Sequence, residues 1–506
     1  MSRIAGLVRE RVFAHYFGNS DAGDAFKAAL KIPNFLQNLF GEGVLSASFI
    51  PYYARLLAKD QHESARRVAW TIGAILAFCV STIVLLGMLA TPHLINVIAP
   101  GFDGEKRELT IRIVRILFPG TGLLVLSAWC LGILNSHRQF FLSYSAPVLW
   151  NLSIITSMIY FGSRHGMDDL AVYTAWGLFV GSAIQFLAQF PFALRWIRAF
   201  RRARPEDRGA IRGIGRSFLP VIVGRGVVQI SAYIDNMIAS LLPTGAVSAI
   251  AYSQVLYLTP IALFGMSVSA AELPELAAVG DDDEEAKTKL RHRIEVGLSR
   301  ISFFVIPSVA GFMFLGDTIA AAVFQTGAFT HKDSLLLWAI LGAAAVGLLP
   351  STRGRLVSSS FYALRDTRTP LKISCVRMVL SVSLGLFSAV KLPTLAGYAK
   401  IYGTVGLTGS SAIAAWLEYL LLKNRLEKRI GKIRPGARAR NRAASSAALA
   451  GLIAFSVKIA LEDFGRPVVA AVFVLGSFGA VYFVVGALLG LEEAKRICAR
   501  FGLRFG

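Results

Sequence analysis

Apolar residues in this chain come in long blocks, separated by short polar stretches. Fourteen blocks are long enough to cross about 30 Å of hydrocarbon. They are approximately residues 1–18, 25–54, 67–90, 108–135, 141–162, 169–195, 213–241, 244–276, 294–316, 333–360, 370–390, 399–422, 444–461 and 466–490. Blocks of this length predict transmembrane helices, whose backbone groups are satisfied within each segment. The pattern is that of an all-α polytopic membrane protein with about fourteen transmembrane helices.

The blocks also repeat. The second contains A-F at 25–26, Pro33, L-F-G at 39–41 and Pro51; the eighth contains A-Y at 251–252, Pro260, L-F-G at 263–265 and Pro274. I-A-P-G-F at 98–102 follows the third block, and F-Q-T-G-A-F at 324–329 follows the ninth. Blocks one to six and seven to twelve therefore predict two parallel six-helix lobes around a central cavity, with a C-terminal helix pair outside the repeat. The expected divisions are an N-terminal lobe over 1–196, a basic linker over 197–216 and a C-terminal lobe over 217–423. A basic loop over 424–443 and the last two spans with a tail over 444–506 complete the chain. Two such lobes form a transporter architecture, which rocks between inward and outward states about a substrate at the lobe interface. Pro33, Gly41 and Gly43 in one lobe, and Pro260 and Gly265 in the other, are candidate hinges. A single proline is an ordinary feature of a membrane helix; recurrence singles these out.

Composition narrows the class. With 55% hydrophobic and only 17% charged residues among 506, this is not an ordinary soluble enzyme. A net charge of +22 would point to nucleic acid in a soluble protein. Here the bases gather in short loops, as cytoplasmic loops require, and no nucleic-acid partner is expected. Arg195, Arg198, Arg201, Arg202, Arg204, Arg208, Arg212 and Arg216 follow from the end of the sixth block. Lys423, Arg425, Lys428, Arg429, Lys432 and Arg434 lead the run after the twelfth, while alternate loops are poor in base. Both termini are then cytoplasmic. The four cysteines have neither metal-binding spacing nor a disulfide framework. Arginines in the first block and the lack of a cleavage motif argue against a signal peptide. The acidic-then-basic loop at 280–293 reads as a solvated helix entrance rather than a metal site. No phosphate-cradling G-x-x-x-x-G-K, H-E-x-x-H or nucleophile elbow is present, so nothing marks an enzyme or a cofactor.

Charges inside spanning segments are costly and mark a pathway or binding cavity. Arg3 and Arg9 lie on the first span, about a third of a turn and roughly 9 Å apart, so they can line one wall at two depths. Arginine keeps its charge and offers a planar fork to phosphate oxygens. For Arg3 a second reading stands, snorkelling to the inner headgroups. Asp24 and Glu42 are acids of the same opening stretch. In the second lobe, Arg225 and Gln229 share a face of the seventh span, Arg377 lies on the eleventh, and Arg353 and Arg355 lie on the tenth. Asp235, deeper on the seventh, is placed either to bind a coupling cation or to balance an arginine.

The opening S-R-I-A-G-L-V-R-E, then F-G-N-S-D-A-G-D-A-F, K-I-P-N-F-L and F-G-E-G-V-L-S-A-S-F-I-P, resembles the N-terminal signature of the MurJ (MviN) lipid II flippase family, of the MOP exporter superfamily. A-P-G-F at 99–102, G-I-L-N-S at 132–136, A-P-V-L-W-N at 146–151, F-Q-T-G-A-F-T at 324–330 and F-Y-A-L-R-D-T-R-T-P-L-K-I at 361–373 extend the likeness along nearly the whole chain. The chain starts at the signature itself, so either the true start lies upstream of Met1 or the first span is short.

The resemblance implies a transporter of undecaprenyl-pyrophosphate-linked disaccharide-pentapeptide, moved from the inner to the outer leaflet of the bacterial cytoplasmic membrane. It implies a monomer among membrane lipids, driven by a coupling ion (Na+ or H+) or by the membrane potential. Arg3 and Arg9 match two of the family's cavity arginines, which would neutralise the pyrophosphate, and Asp24 and Glu42 match acidic positions. Gln37 stands where the family carries an arginine on the second span, and Val255 where it carries one on the eighth. Arg225 and Arg377 are basic where neutral residues are expected, which points to a relocated cluster. Asp235 matches a sodium-binding position of some relatives, but Ser381 and Gly385 replace the stronger ligands. The alternative reading is a related exporter of another polyprenyl-linked glycan or of drugs, motivated by positions 37 and 255.

Overall fold

The computed structural model describes the chain except residues 1, 41, 198–203, 205–206, 208, 210, 217–232, 266–283, 365, 435, 462–465 and 504–506. Described helices follow the apolar blocks. The first seven are α1 (Ser2–Phe17), α2 (Asp21–Phe40), α3 (Glu42–Ala58), α4 (His62–Ile98), α5 (Gly104–Ser136), α6 (Phe140–Gly162) and α7 (Met167–Ile197). Helical residues 233–240 follow, then α8 (Ala246–Pro260) and α9 (Glu284–Phe324). The chain continues through α10 (His331–Ala345), α11 (Leu348–Ala363), α12 (Arg368–Leu386) and α13 (Gly403–Ile430). It ends with α14 (Ala437–Ala460), α15 (Pro467–Leu488) and the short α16 (Glu492–Arg500). Among the described residues no β-strand occurs, only an isolated bridge between Thr326 and Phe329.

Ten of these helices are long and apolar enough to cross a membrane, and an eleventh span is the pair α10 and α11, bent by 42°. Eleven of the fourteen expected spans are thus matched among the described residues, and the other three blocks account for the difference. The first block is the 16-residue α1, too short and too charged to stand as an ordinary span. The second block is divided between α2 and α3. Most of the seventh falls in 217–232, outside the described residues.

Contacts divide the chain into two compact units, Met1–Ser248 and Ala249–Gly506. In the first, α5 is the central post, packed by α2, α3, α4 and α7. Its most apolar stretch is 72% buried, whereas that of α4 is only 17% buried. A side such as that of α4, with Phe78 and Leu89 outward, is stable where the solvent is lipid. α1 packs on α6. A side chain at Gly162 of α6 would collide with the Tyr16 ring, so glycine permits this approach. In the second unit, α9 is the post, contacted by α10, α11, α14 and α15, while α12 packs on α13 and α16 on α15.

The repeated loop motifs have packing roles. Gly101 of A-P-G-F lies so close to the Ser240 carbonyl that a Cβ would sit 2.1 Å from its oxygen. In the second motif, Phe324 and Phe329 hold Tyr252, with ring centroids 5.0 and 5.4 Å apart.

F-Y-A-L-R-D-T-R-T-P also has a structural explanation. Asp366 accepts hydrogen bonds from the Thr369 hydroxyl (2.7 Å) and amide (2.9 Å), capping α12, and pairs with Arg429 at the end of α13 (2.5 Å). The Thr369 bonds, then Arg429, hold this loop carboxyl at about 2, below its usual range. A group depressed in the folded state stabilises above its unfolded value, near 3.9, and loses that contribution as pH falls toward the folded one. Asp366→Ala is therefore expected to lower stability by roughly 1–2 kcal/mol at neutral pH. The difference should shrink between about pH 4 and pH 2. Thermal unfolding in detergent at several pH values checks both statements.

Candidate functional site

α1 carries an unusual load of charge for a 16-residue helix: Arg3, Arg9, Glu10 and Arg11. Adjacent positions point about 100° apart, so they need different neighbours. Arg3 is exposed and makes no ion pair among the described residues. Arg9 donates an Nη to Glu10 Oε1 at 2.7 Å, and its guanidinium lies over the Trp150 ring of α6, 5.0 Å from the centroid. The Arg9 side chain keeps 21% of its surface exposed. Glu10 is buried, and its other oxygen, Oε2, accepts from the ammonium of Lys27 on α2. Lys27 is buried too, 4.1 Å above the Phe13 ring. Phe13, Phe17 and Phe26 stack around this point and keep it apolar.

Two cations thus share one carboxylate, leaving a formal charge of +1. The exposed member is Arg9. Its further N–H donors have no protein partner among the described residues, so the group can take an oxyanion. Lys31, one turn beyond Lys27, interacts electrostatically with Asp235, and its carbonyl accepts from the Tyr233 hydroxyl.

Asp24 has a different setting from Arg9. It is 1% exposed, and both oxygens have partners. Oδ1 accepts the Ser248 amide and Oδ2 the Gly245 amide, each at 2.8 Å, at the start of α8. Lys106 of α5 reaches Asp24 Oδ2 and Asp21 Oδ1, both at 2.8 Å, and Thr244 donates to Asp21 at 2.9 Å. This is an N-terminal cap of α8 with its own counter-cation, made entirely of protein groups.

Of the other candidates, Glu42 and Gly43 open α3. Arg225 and Gly41 lie outside the described residues. Pro33 is buried within α2, and Pro260 ends α8 directly before a π-helical turn over Ile261–Gly265. In the second unit, Arg377 donates to Glu418 Oε2 at 2.8 Å, and Ser374 donates to Oε1 at 2.8 Å. Arg377 is therefore cationic but neutralised, while Arg355 on α11 is exposed. Arg353 is buried, turned to Ser302 and the Tyr419 ring.

The residues named for a sodium ion have other partners among the described residues. No group of three His, Cys, Asp or Glu side chains occurs among the described residues. Asp235 already faces the positive charge of Lys31, and Ser381 is hydrogen-bonded to Ser411 at 2.9 Å. Each of these two side chains thus has a partner within its own unit, Lys31 or Ser411.

Lys27 and Glu10 were the members of the site that motif reasoning passed over. A signal existed: Asp24, Lys27 and Lys31 fall at i, i+3 and i+7, one face of an apolar helix.

The family model described as "Lipid II flippase MurJ" matches residues 13–484. The chain belongs to the MurJ lipid II flippase family. Among MurJ relatives, a protein of Rhizobium tropici named "Probable lipid II flippase MurJ" is 30% identical, over 97% of this chain and 92% of its own. One of Haemophilus influenzae with the same name is 30% identical over 85% and 84%. "Lipid II flippase MurJ" of Burkholderia cenocepacia is 29% identical over 85% and 82%. The fold is similar to that of a solved structure, "Lipid II flippase MurJ, inward closed conformation", at a TM-score of 0.75 and 24% identity, covering 96% of each chain. An inward-facing multidrug transporter of the MATE family and MOP superfamily shares the fold at 0.66 and 18% identity, over 85% of this chain and 95% of its own. MurJ is a transporter family, so the reading of a transporter rather than an enzyme holds.

Proposed function

We propose that this protein moves lipid II from the inner to the outer leaflet of the bacterial cytoplasmic membrane by alternating access, as a monomer with both termini in the cytoplasm. Membership of the MurJ family supports the cargo, and the Arg9–Glu10–Lys27 network carries the site. A buried network with one excess positive charge and one accessible guanidinium suits a pyrophosphate embedded in a lipid-linked glycan. Arg9 takes the phosphate oxygens, Arg3 adds charge nearer the helix start, and Asp24 holds the start of α8. The proposed drive is the membrane potential, worth about 2.3 kcal/mol per elementary charge per 100 mV.

Cells depleted of their own lipid II flippase test this directly. Expression of this chain should restore growth and the exposure of lipid II at the outer leaflet. Stable insertion without restored exposure would overturn the cargo assignment and favour another polyprenyl-linked glycan. In proteoliposomes, an imposed potential should accelerate lipid II transport, and a sodium gradient without potential should not.

A further inference from the structure

Lys27 stands where the signature motifs place no cation, yet it is among the most enclosed charges of the first unit. Its side chain is 7% exposed, its ammonium is bonded to Glu10 and it sits over Phe13. Such a group is poorly placed to touch a substrate headgroup. Glu10, which it shares with Arg9, links it to the accessible guanidinium.

We infer that Lys27 is a positioning residue for anion capture: by holding Glu10, it lets Arg9 exchange its carboxylate partner for a substrate phosphate. The inference rests on the reading of Arg9 as the pyrophosphate ligand. Arg9 holds Oε1 of Glu10, and Lys27 holds Oε2. When Arg9 turns to a phosphate, Glu10 keeps one cation and remains neutralised in its apolar surroundings. Without Lys27, the same movement strands a buried carboxylate, which is strongly unfavourable. A stranded Glu10 would also repel the arriving phosphate from the neighbouring helix position. Phe13, one turn after Glu10 on α1, adds the negative face of its ring beneath the ammonium and fixes Lys27 on the Glu10 side. Lys27 thereby supplies, from α2, part of the positive charge that Gln37 on the same helix does not.

The test is lipid II transport by purified protein in vesicles, read as half-saturating concentration and maximal rate, beside thermal stability in detergent. Lys27→Met is expected to raise the half-saturating concentration by about tenfold or more, the effect of losing one charge-assisted interaction. Lys27→Arg, which keeps the cation, should stay near the parent value. The double variant Lys27→Met/Glu10→Gln should recover most of the affinity, because no carboxylate is left to neutralise, and its balanced charge also protects folding. Unchanged half-saturation in Lys27→Met, or no recovery in the double variant, would overturn the inference and leave Lys27 a packing element. A parent protein that moves no lipid II, or an Arg9→Ala variant with unimpaired binding, would instead overturn the pyrophosphate reading on which it rests.

Discussion

Arg9→Ala should abolish measurable lipid II transport while the protein still inserts and folds. The two halves of this expectation have separate causes. Folding survives because Glu10, the ion-pair partner of Arg9, keeps its second cation, Lys27. Trp150 loses a cation from its face, a contact worth about 0.5–1 kcal/mol at a partly exposed position. Transport fails because Arg9 is the accessible donor group of a network that carries one excess charge. Removing it leaves Glu10 and Lys27 neutral together and offers the pyrophosphate no fork. Two lost charge-assisted bonds of about 1.5–3 kcal/mol each correspond to a fall of 10²-fold or more in binding. Arg9→Lys should be intermediate, since it restores charge but not the bidentate geometry. The measurement is growth rescue of flippase-depleted cells alongside the amount of folded protein in the membrane. Full rescue by Arg9→Ala would remove Arg9 from the site.

The second large effect is on stability. Asp24→Ala removes the acceptor of two amides, Gly245 and Ser248, and a counter-charge of Lys106. Lys106 keeps Asp21, which is far more exposed. Breaking a buried ion pair from one side costs about 3–5 kcal/mol, and the uncapped start of α8 adds about 1 kcal/mol. Asp24→Asn keeps an acceptor oxygen and should cost less. The double variant Asp24→Asn/Lys106→Met, with no stranded charge, should cost less than Asp24→Ala. Thermal unfolding of purified protein ranks the three; an Asp24→Ala variant as stable as the parent would show that the cap does not hold α8. Loss of transport in Asp24→Ala is then expected to follow loss of fold, which separates Asp24 from Arg9, where it should not.

This difference between Asp24 and Arg9 is invisible in the signature motif, where both are charges of one opening stretch. The motif does place them on successive helices. Asp24, however, has its partners at 245 and 248, more than two hundred residues away. Gln37 shows the same limit from the other side. Position by position, the second span lacks a cation, yet Lys27, three turns earlier on the same helix, pairs across to α1. Arg377 read as a free cavity cation and is paired with Glu418 of α13.

What the chain determines by itself is set by local quantities. Block length predicts which segments are helices apolar enough to span a membrane. These segments survive as helices because each span satisfies its own backbone groups whatever its neighbours are. Among the described residues, α1 and the divided α2 and α3 do not stand as single apolar spans, and α1 and α2 carry charges that pair across helices, Glu10 with Lys27. Only the tertiary structure decided which cation meets which carboxylate. An ion pair in an apolar interior is governed by a few ångströms of separation and by burial, and helix periodicity specifies neither. Arg9 is an accessible donor and Asp24 an enclosed cap because α2 presents Lys27 to Glu10 and the start of α8 presents its amides to Asp24.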